Sequence, residues 1–327
     1  MRHWKRNLIA GLATTVCPFA SASETGINRI YAEYIKGDYV TAGASSRVRD
    51  GFPQTDPFNV DLAGIPIGAT VVKAFANWSY MADEATATDT IKIDGTNVTG
   101  ALTGTGDVDL VWGYEKAVAY SADVTALVTV NGAYSIEGAI DDPDGEWIGE
   151  GLSFVVVYED PNATMKAVHV YDGYFSTTTG SGQASIDFIA EYSGGNAHFF
   201  TNALDGQDIF SDDFVVNGTT ASGDFGLGGA GNAFRGTLGP GPADYNYYDH
   251  AEGDAAAYMG VGNVSLLYRT EGFTNGTTNY TDAIGHSFSA MSFAAVPEPG
   301  TCVAAVIGLA WASRRKTRLN SSKKVQK

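Results

Sequence analysis

The stretch GLSFVVVYEDPNATMKAVHVYDGYF, residues 151–175, holds two runs, Leu152–Asp160 and Met165–Phe175, dense in valine, tyrosine and phenylalanine. β-branched and aromatic side chains suit a half-buried pleated surface better than a helix. TVVKAFANWSY (Thr70–Tyr80) and TIKIDG (from Thr90) read the same way, and several of these runs alternate apolar with polar residues. Between the runs recur turn dipeptides: Asp50-Gly51, Asp94-Gly95, Asn131-Gly132, Asp144-Gly145, Asp172-Gly173, Asp205-Gly206, Asn217-Gly218 and Asn275-Gly276. Such pairs accept positive φ at low cost and close hairpins. No amphipathic helix of ten residues is legible; SADVTALV (Ser121–Val128) reads as one helical turn before a strand. The expected fold is all-β.

A faint internal duplication suggests two tandem, jelly-roll-like β-sandwich halves, residues 23–163 and 164–295. Lys73-Ala74 matches Lys166-Ala167. Ile91–Gly100 matches Phe214–Gly223, and Val130–Gly138 matches Gly262–Gly272. The glycine-rich segment Gly223–Pro242 is expected as a long surface loop of the second half.

The two ends differ from this body. Arg2, Lys5 and Arg6 precede an apolar stretch, Leu8–Ala20, and a small-x-small site, Ala20-Ser21-Ala22. That order is a secretory signal peptide, residues 1–22, read by Sec-type export machinery and a signal peptidase. Near the other end, Pro297 and Pro299 hold an extended neck. Cys302–Ala312 is an apolar run of 11 residues, short of the ~20 that span a bilayer comfortably. Arg314, Arg315, Lys316 and Arg318 follow on what the positive-inside rule makes the cytoplasmic side, and residues 319–327 form a basic tail. This is a weak, temporary tether with a cleavable neck and a short hydrophobic C-terminal helix.

Pro297-Glu298-Pro299, the apolar run and Arg314-Arg315-Lys316 together resemble a PEP-CTERM sorting signal, here residues 296–318. The resemblance implies processing by an exosortase in an exopolysaccharide-producing bacterium. It also implies transient tethering to the inner membrane, then attachment at the cell surface, outer membrane or extracellular matrix. The body resembles an uncharacterised family of bacterial and archaeal surface domains through Asp123-Val124-Thr125, Gly151–Glu159 and Tyr171-Asp172-Gly173. That second resemblance implies architecture and location, and no reaction.

Of 20 basic and 37 acidic residues, ten basic and one acidic lie in the two terminal segments, leaving the body 10 against 36, a net of −26. Such a surface repels nucleic acid and attracts divalent cations or basic partners. Both cysteines, Cys17 and Cys302, lie in the terminal segments, so the body has no disulfide and no thiolate metal site. None of its four histidines sits at zinc-ligand spacing. Gly285–Ser289 (GHSFS) imitates a nucleophile elbow but lacks its closing glycine.

Acidic clusters are the stronger leads. Asp141, Asp142, Asp144, Glu146 and Glu150 surround Trp147. They fail the EF-hand ligand order but could form a looser calcium site. Glu146 and Glu150 could instead act as a glycosidase pair. An acidic solvated hairpin loop is the plainer reading of the same residues. Tyr245, Tyr247, Tyr248 and Asp249 suit stacking and hydrogen bonding to a carbohydrate such as the exopolysaccharide. The leading expectation is a non-catalytic surface or matrix protein, with a carbohydrate-binding module and a secreted glycosidase as alternatives.

Overall fold

The computed structural model describes residues 26–47, 56–83, 88–106, 114–140, 147–176, 183–207, 212–228, 231–239, 246–272 and 284–295. Most of the described residues are in strands, which form three antiparallel sheets. Two residue pairs show why particular turns close. Asp94-Gly95 (φ 48° and 76°) and Asn217-Gly218 (φ 46° and 81°) both stand in the left-handed region that a two-residue hairpin demands. The expected helical turn is present as well, Val128 N–H donating to the Val124 carbonyl at 3.0 Å.

The first half comprises β1 (Gly26–Ser45), β2 (Phe58–Leu62), β3 (Thr70–Ala82), β4 (Thr90–Ile93), β5 (Thr96–Thr99), β6 (Ala101–Gly106), β7 (Lys116–Asp123), β8 (Gly132–Glu137) and β9 (Trp147–Glu159). The second comprises β10 (Met165–Ser176), β11 (Ala184–Asp187), β12 (Ala197–Leu204), β13 (Asp212–Val216), β14 (Thr219–Thr220), β15 (Tyr248–Asp254), β16 (Ser265–Gly272) and β17 (Gly285–Ala294). In the first half the order β1-β9-β3-β7 faces β2-β8-β4-β5; in the second, β10-β17-β12-β15 faces β11-β16-β13-β14. Both are the eight-strand jelly-roll order, element for element, with β6 added at one edge.

This topology corrects part of the duplication read from sequence. The β4–β5 and β8 matches to β13–β14 and β16 stand, and β9 takes in the first half the place that β17 takes in the second. The Lys73-Ala74 match to Lys166-Ala167 does not, because β3 is equivalent to β12 and β10 is equivalent to the end of β1. Two Lys-Ala pairs on unrelated strands made the false alignment.

Strand β1 joins the halves. Its residues 26–36 pair with β10 and its residues 37–45 pair with β9, giving one nine-stranded sheet of two wings. Strands β3 and β17 stand four places apart in that sheet, about 19 Å if it were flat. Yet Ser79 Oγ lies 3.1 Å from Ser287 Oγ, and the Tyr39 hydroxyl donates to the Ala290 carbonyl at 3.3 Å. The wings are therefore folded face to face, with β1 turning the corner between Lys36 and Gly37, as strands do where one sheet passes into another. The result is four layers: small sheet, wing, wing, small sheet.

Layering explains the burial pattern. Peripheral strands alternate, as in β2, whereas β3 is buried continuously from Ala74 to Ala82 and β17 from Gly285 to Phe293. Alternate residues of each inner strand enter different cores. Trp78, Tyr80, Phe154 and Val156 pack under the first small sheet, and Tyr171, Phe199, Met291 and Phe293 under the second. Phe75, Val155, Val157, Val168, Val170, Phe200 and Phe288 fill the space between the wings. At Gly173 (φ 149°), in the Tyr171-Asp172-Gly173 motif, a side chain would collide with the Gly26 carbonyl across the β1–β10 pair.

Candidate functional site

The centre of the wing-to-wing interface is polar. Strand register breaks between Thr201 and Leu204, and Asn202 fills the break. Its Oδ1 accepts from the Ser287 and Phe288 N–H groups at 2.9 Å each, while its Nδ2 donates to Tyr248 Oη and Ser287 Oγ, also at 2.9 Å. Ser287 Oγ donates to Asn77 Oδ1 at 2.7 Å, and Asn77 Nδ2 to Ser121 Oγ at 3.0 Å. Ser153 Oγ lies 2.7 Å from Tyr248 Oη and 2.8 Å from His250 Nε2. Burial holds His250 and His286 neutral, down to about 4. Every hydroxyl named here has a protein partner, which is what a buried polar layer requires.

At the margin of this layer is a charged cluster. Arg47, just past β1, places Nη2 2.7 Å from Glu150 Oε1 and 2.9 Å from Asp205 Oδ1, with all three side chains 5% exposed or less. The Arg47 guanidinium carbon stands 3.7 Å over the Tyr247 ring. The Asp205 N–H donates to Glu150 Oε2 at 3.1 Å and Gln207 Nε2 to Asp205 Oδ1 at 3.4 Å. Among the described residues, one cation thus faces two carboxylates in a buried site. Burial, with Asp205 adding to it, pushes the Glu150 carboxyl up. Desolvation opposes the charge on Arg47, and the two carboxylates outweigh it and raise the guanidinium.

Two further buried acids hold the glycine-rich segment. Asp249 Oδ2 accepts from Gly236 N–H, and its Oδ1 from Thr237 N–H, both at 2.7 Å. Asp212 Oδ1 accepts from the Ala233 and Phe234 N–H groups at 2.6 and 3.0 Å. Desolvation nonetheless raises Asp212 to about 7 and also lifts Asp249. Phe225, Ala233 and Phe234 are buried. The described part of Gly223–Pro242 is therefore pinned into the body and is not the surface loop expected from its composition.

The sequence candidates divide accordingly. Glu150, expected as a calcium ligand or glycosidase acid, is instead buried against Arg47. Tyr247 and Tyr248 are buried, Tyr248 completely, with Asp249 beside them, so none of the three offers a face to a sugar. Their polar groups serve the interior instead: Tyr248 the wing-to-wing layer, Tyr247 the charged cluster and Asp249 the glycine-rich segment. Asp141, Asp142, Asp144, Glu146, Tyr245, Pro297, Glu298, Pro299, Arg314, Arg315 and Lys316 lie outside the described residues. Among the described residues no group of three or more His, Cys, Asp or Glu could hold a metal ion. His169 is satisfied within its strand, its Nε2 accepting from the Ile189 N–H at 2.9 Å. Ser287 of the GHSFS stretch is wholly buried in the polar layer.

Arg47 and Asn202 were missed. The only signal for Arg47 is that it is one of few cations in an acidic body. No protein-family model matches the chain, and comparison with curated proteins finds no match.

Proposed function

We propose that the chain is an exported, non-catalytic surface or matrix protein, carried out by Sec-type machinery and sorted by an exosortase-type system. The observation that carries this reading is the use made of the candidate polar groups. Glu150, Tyr247 and Tyr248 are engaged in joining the two jelly rolls, and Asp249 in holding the glycine-rich segment. The sorting half of the reading is supported by the order Pro297-Glu298-Pro299, apolar Cys302–Ala312, then Arg314-Arg315-Lys316. The net charge of −26 on the body suits a solvated exterior location. Calcium remains a candidate ligand only through the acids at 141–146.

Cell fractionation tests this. The wild-type protein is expected with the envelope or polysaccharide fraction. A Pro297→Ala, Glu298→Ala, Pro299→Ala variant is expected to accumulate unprocessed in the inner membrane. Identical distribution of the two proteins would reject the sorting role.

A further inference from the structure

The two jelly rolls present matching loop pairs beside the β1 corner. In the first, the β2–β3 loop meets the β7–β8 loop: Asn131 Oδ1 accepts from the Ile65 N–H at 2.9 Å and Asn131 Nδ2 donates to the Ile65 carbonyl at 2.8 Å. In the second, the β11–β12 loop meets the β15–β16 loop: the Tyr192 N–H donates to the Asn263 carbonyl and the Gly262 N–H to the Tyr192 carbonyl, both at 2.8 Å. Both pairs adjoin the corner. Thr70 pairs with Glu159, which pairs with Gly37; Lys36 pairs with Met165, whose neighbour Lys166 pairs with Ala294.

These tips are chemically unlike the body. Residues 62–72, 124–136, 188–197 and 255–265 make 45 positions, which at the chain's 17% charged content would carry about eight charges. They carry one, Glu191. Large apolar side chains stand exposed on them: Ile67 and Val130 on the first tip, Val261 and Val264 on the second. Charged residues flank the tips: Asp123 accepts from the Thr125 N–H at 3.0 Å and Asp94 from the Ser135 N–H at 2.9 Å, and Lys36, Glu159 and Asp160 stand at the corner between the two tips.

The chain leaves the body at this same place. The Ser193 hydroxyl, in the β11–β12 loop, donates to the Ala294 carbonyl at 3.2 Å, and Ala295 N–H donates to the Met165 carbonyl at 3.5 Å. Six residues, 296–301, then separate Ala295 from the apolar run Cys302–Ala312. Fully extended they reach about 20–25 Å. If that run enters a bilayer, the tips, with their single charge at Glu191, are held within this distance of the lipid surface.

We propose that the tips carrying Ile67, Val130, Val261 and Val264 seat on the lipid surface while the chain is tethered, so that the body lies end-on against the membrane from which it is later released. The surface they fit is zwitterionic. Apolar side chains gain by entering the headgroup boundary, whereas an acidic body is repelled by anionic lipid. The proposal rests on the tether reading above.

The test uses the full chain reconstituted in phosphatidylcholine vesicles, with one environment-sensitive fluorophore on a single cysteine. The labelled variants are Ile67→Cys, Val261→Cys and Asp83→Cys, each with Cys17→Ser and Cys302→Ser, alongside native Cys302 labelled in a Cys17→Ser chain. Asp83 follows the far end of β3, 13 residues from Thr70, or about 43 Å along the strand. Labels at 67 and 261 are expected to shift to shorter wavelength and to lose accessibility to iodide about threefold or more, as for groups drawn 5–10 Å into the interface. The label at 83 should stay aqueous. A Cys302 label in lipid with 67 and 261 as accessible as 83 overturns the seating. A Cys302 label that is itself aqueous overturns the tether reading and the seating with it. Shielding at 67 and 261 that appears in detergent without vesicles and grows with protein concentration identifies a contact between copies and also overturns the proposal.

Discussion

Replacing Arg47 by methionine removes the cation between Glu150 and Asp205 while keeping much of the side-chain volume over Tyr247. Both carboxylates stay at 5% exposure or less, so water cannot take over the role of the guanidinium. Breaking a buried pair by deleting one partner costs about 3–5 kcal/mol. For a chain of this size each kcal/mol lowers the melting temperature by about 2–4 °C, so Arg47→Met is expected to lose roughly 6–20 °C at pH 7–8. The sign of the pH dependence follows from the raised Glu150 carboxyl. A group whose folded pKa exceeds its unfolded value favours the folded state most at low pH and withdraws that support as pH rises. Without Arg47 this raising is stronger, so the gap between variant and wild type should widen from pH 5 to pH 8. Adding Glu150→Gln should return part of the loss. Thermal unfolding followed by circular dichroism measures all three. A loss under about 2 °C, or one unchanged between pH 5 and 8, would refute the buried-charge reasoning.

Other outcomes follow from single contacts. Gly151→Ala would place a Cβ 2.6 Å from the Tyr248 ring; overpacking of this kind costs about 1–3 kcal/mol, and an unchanged melting temperature would show that the wings can separate there. Asn202→Leu leaves the Ser287 and Phe288 N–H groups without an acceptor, at about 1–3 kcal/mol each; urea unfolding should show the loss, and stability within 1 kcal/mol of wild type would remove Asn202 as the keystone of the polar layer. Asp212 holds its proton to about 7 in the fold but only to about 4 unfolded, so it withdraws stability as pH rises through that window. Asp212→Asn keeps an acceptor for Ala233 and Phe234 without ionising, so its melting temperature relative to wild type should rise between pH 5 and 8; a flat or falling difference would contradict the raised carboxyl.

Strand content was legible because valine, tyrosine and phenylalanine runs and the Asp-Gly and Asn-Gly pairs act locally. Asp94-Gly95 and Asn217-Gly218 close equivalent hairpins in the two halves, as their chemistry demands. Asp172-Gly173 does not close a hairpin, because there the glycine serves a close approach to Gly26 inside a strand. The four-layer arrangement was not legible. Inner strands such as β3 are covered on both faces, so their pattern of apolar and small polar residues cannot say which face meets which sheet. The charged cluster draws on residues 47, 150, 205 and 247, whose meeting depends on β1 turning the corner between wings. Tyr248 shows the same limit, since its hydroxyl partners, Ser153 and Asn202, lie 95 and 46 residues away.

Whether the acidic double jelly roll works outside the cytoplasm is tested most directly by intact-mass and terminal-peptide analysis of the protein recovered from cells. Export and sorting predict a chain beginning at Ser23 and cut within or just after residues 296–300. A full-length chain, Met1 to Lys327, recovered from the cytosol would contradict them.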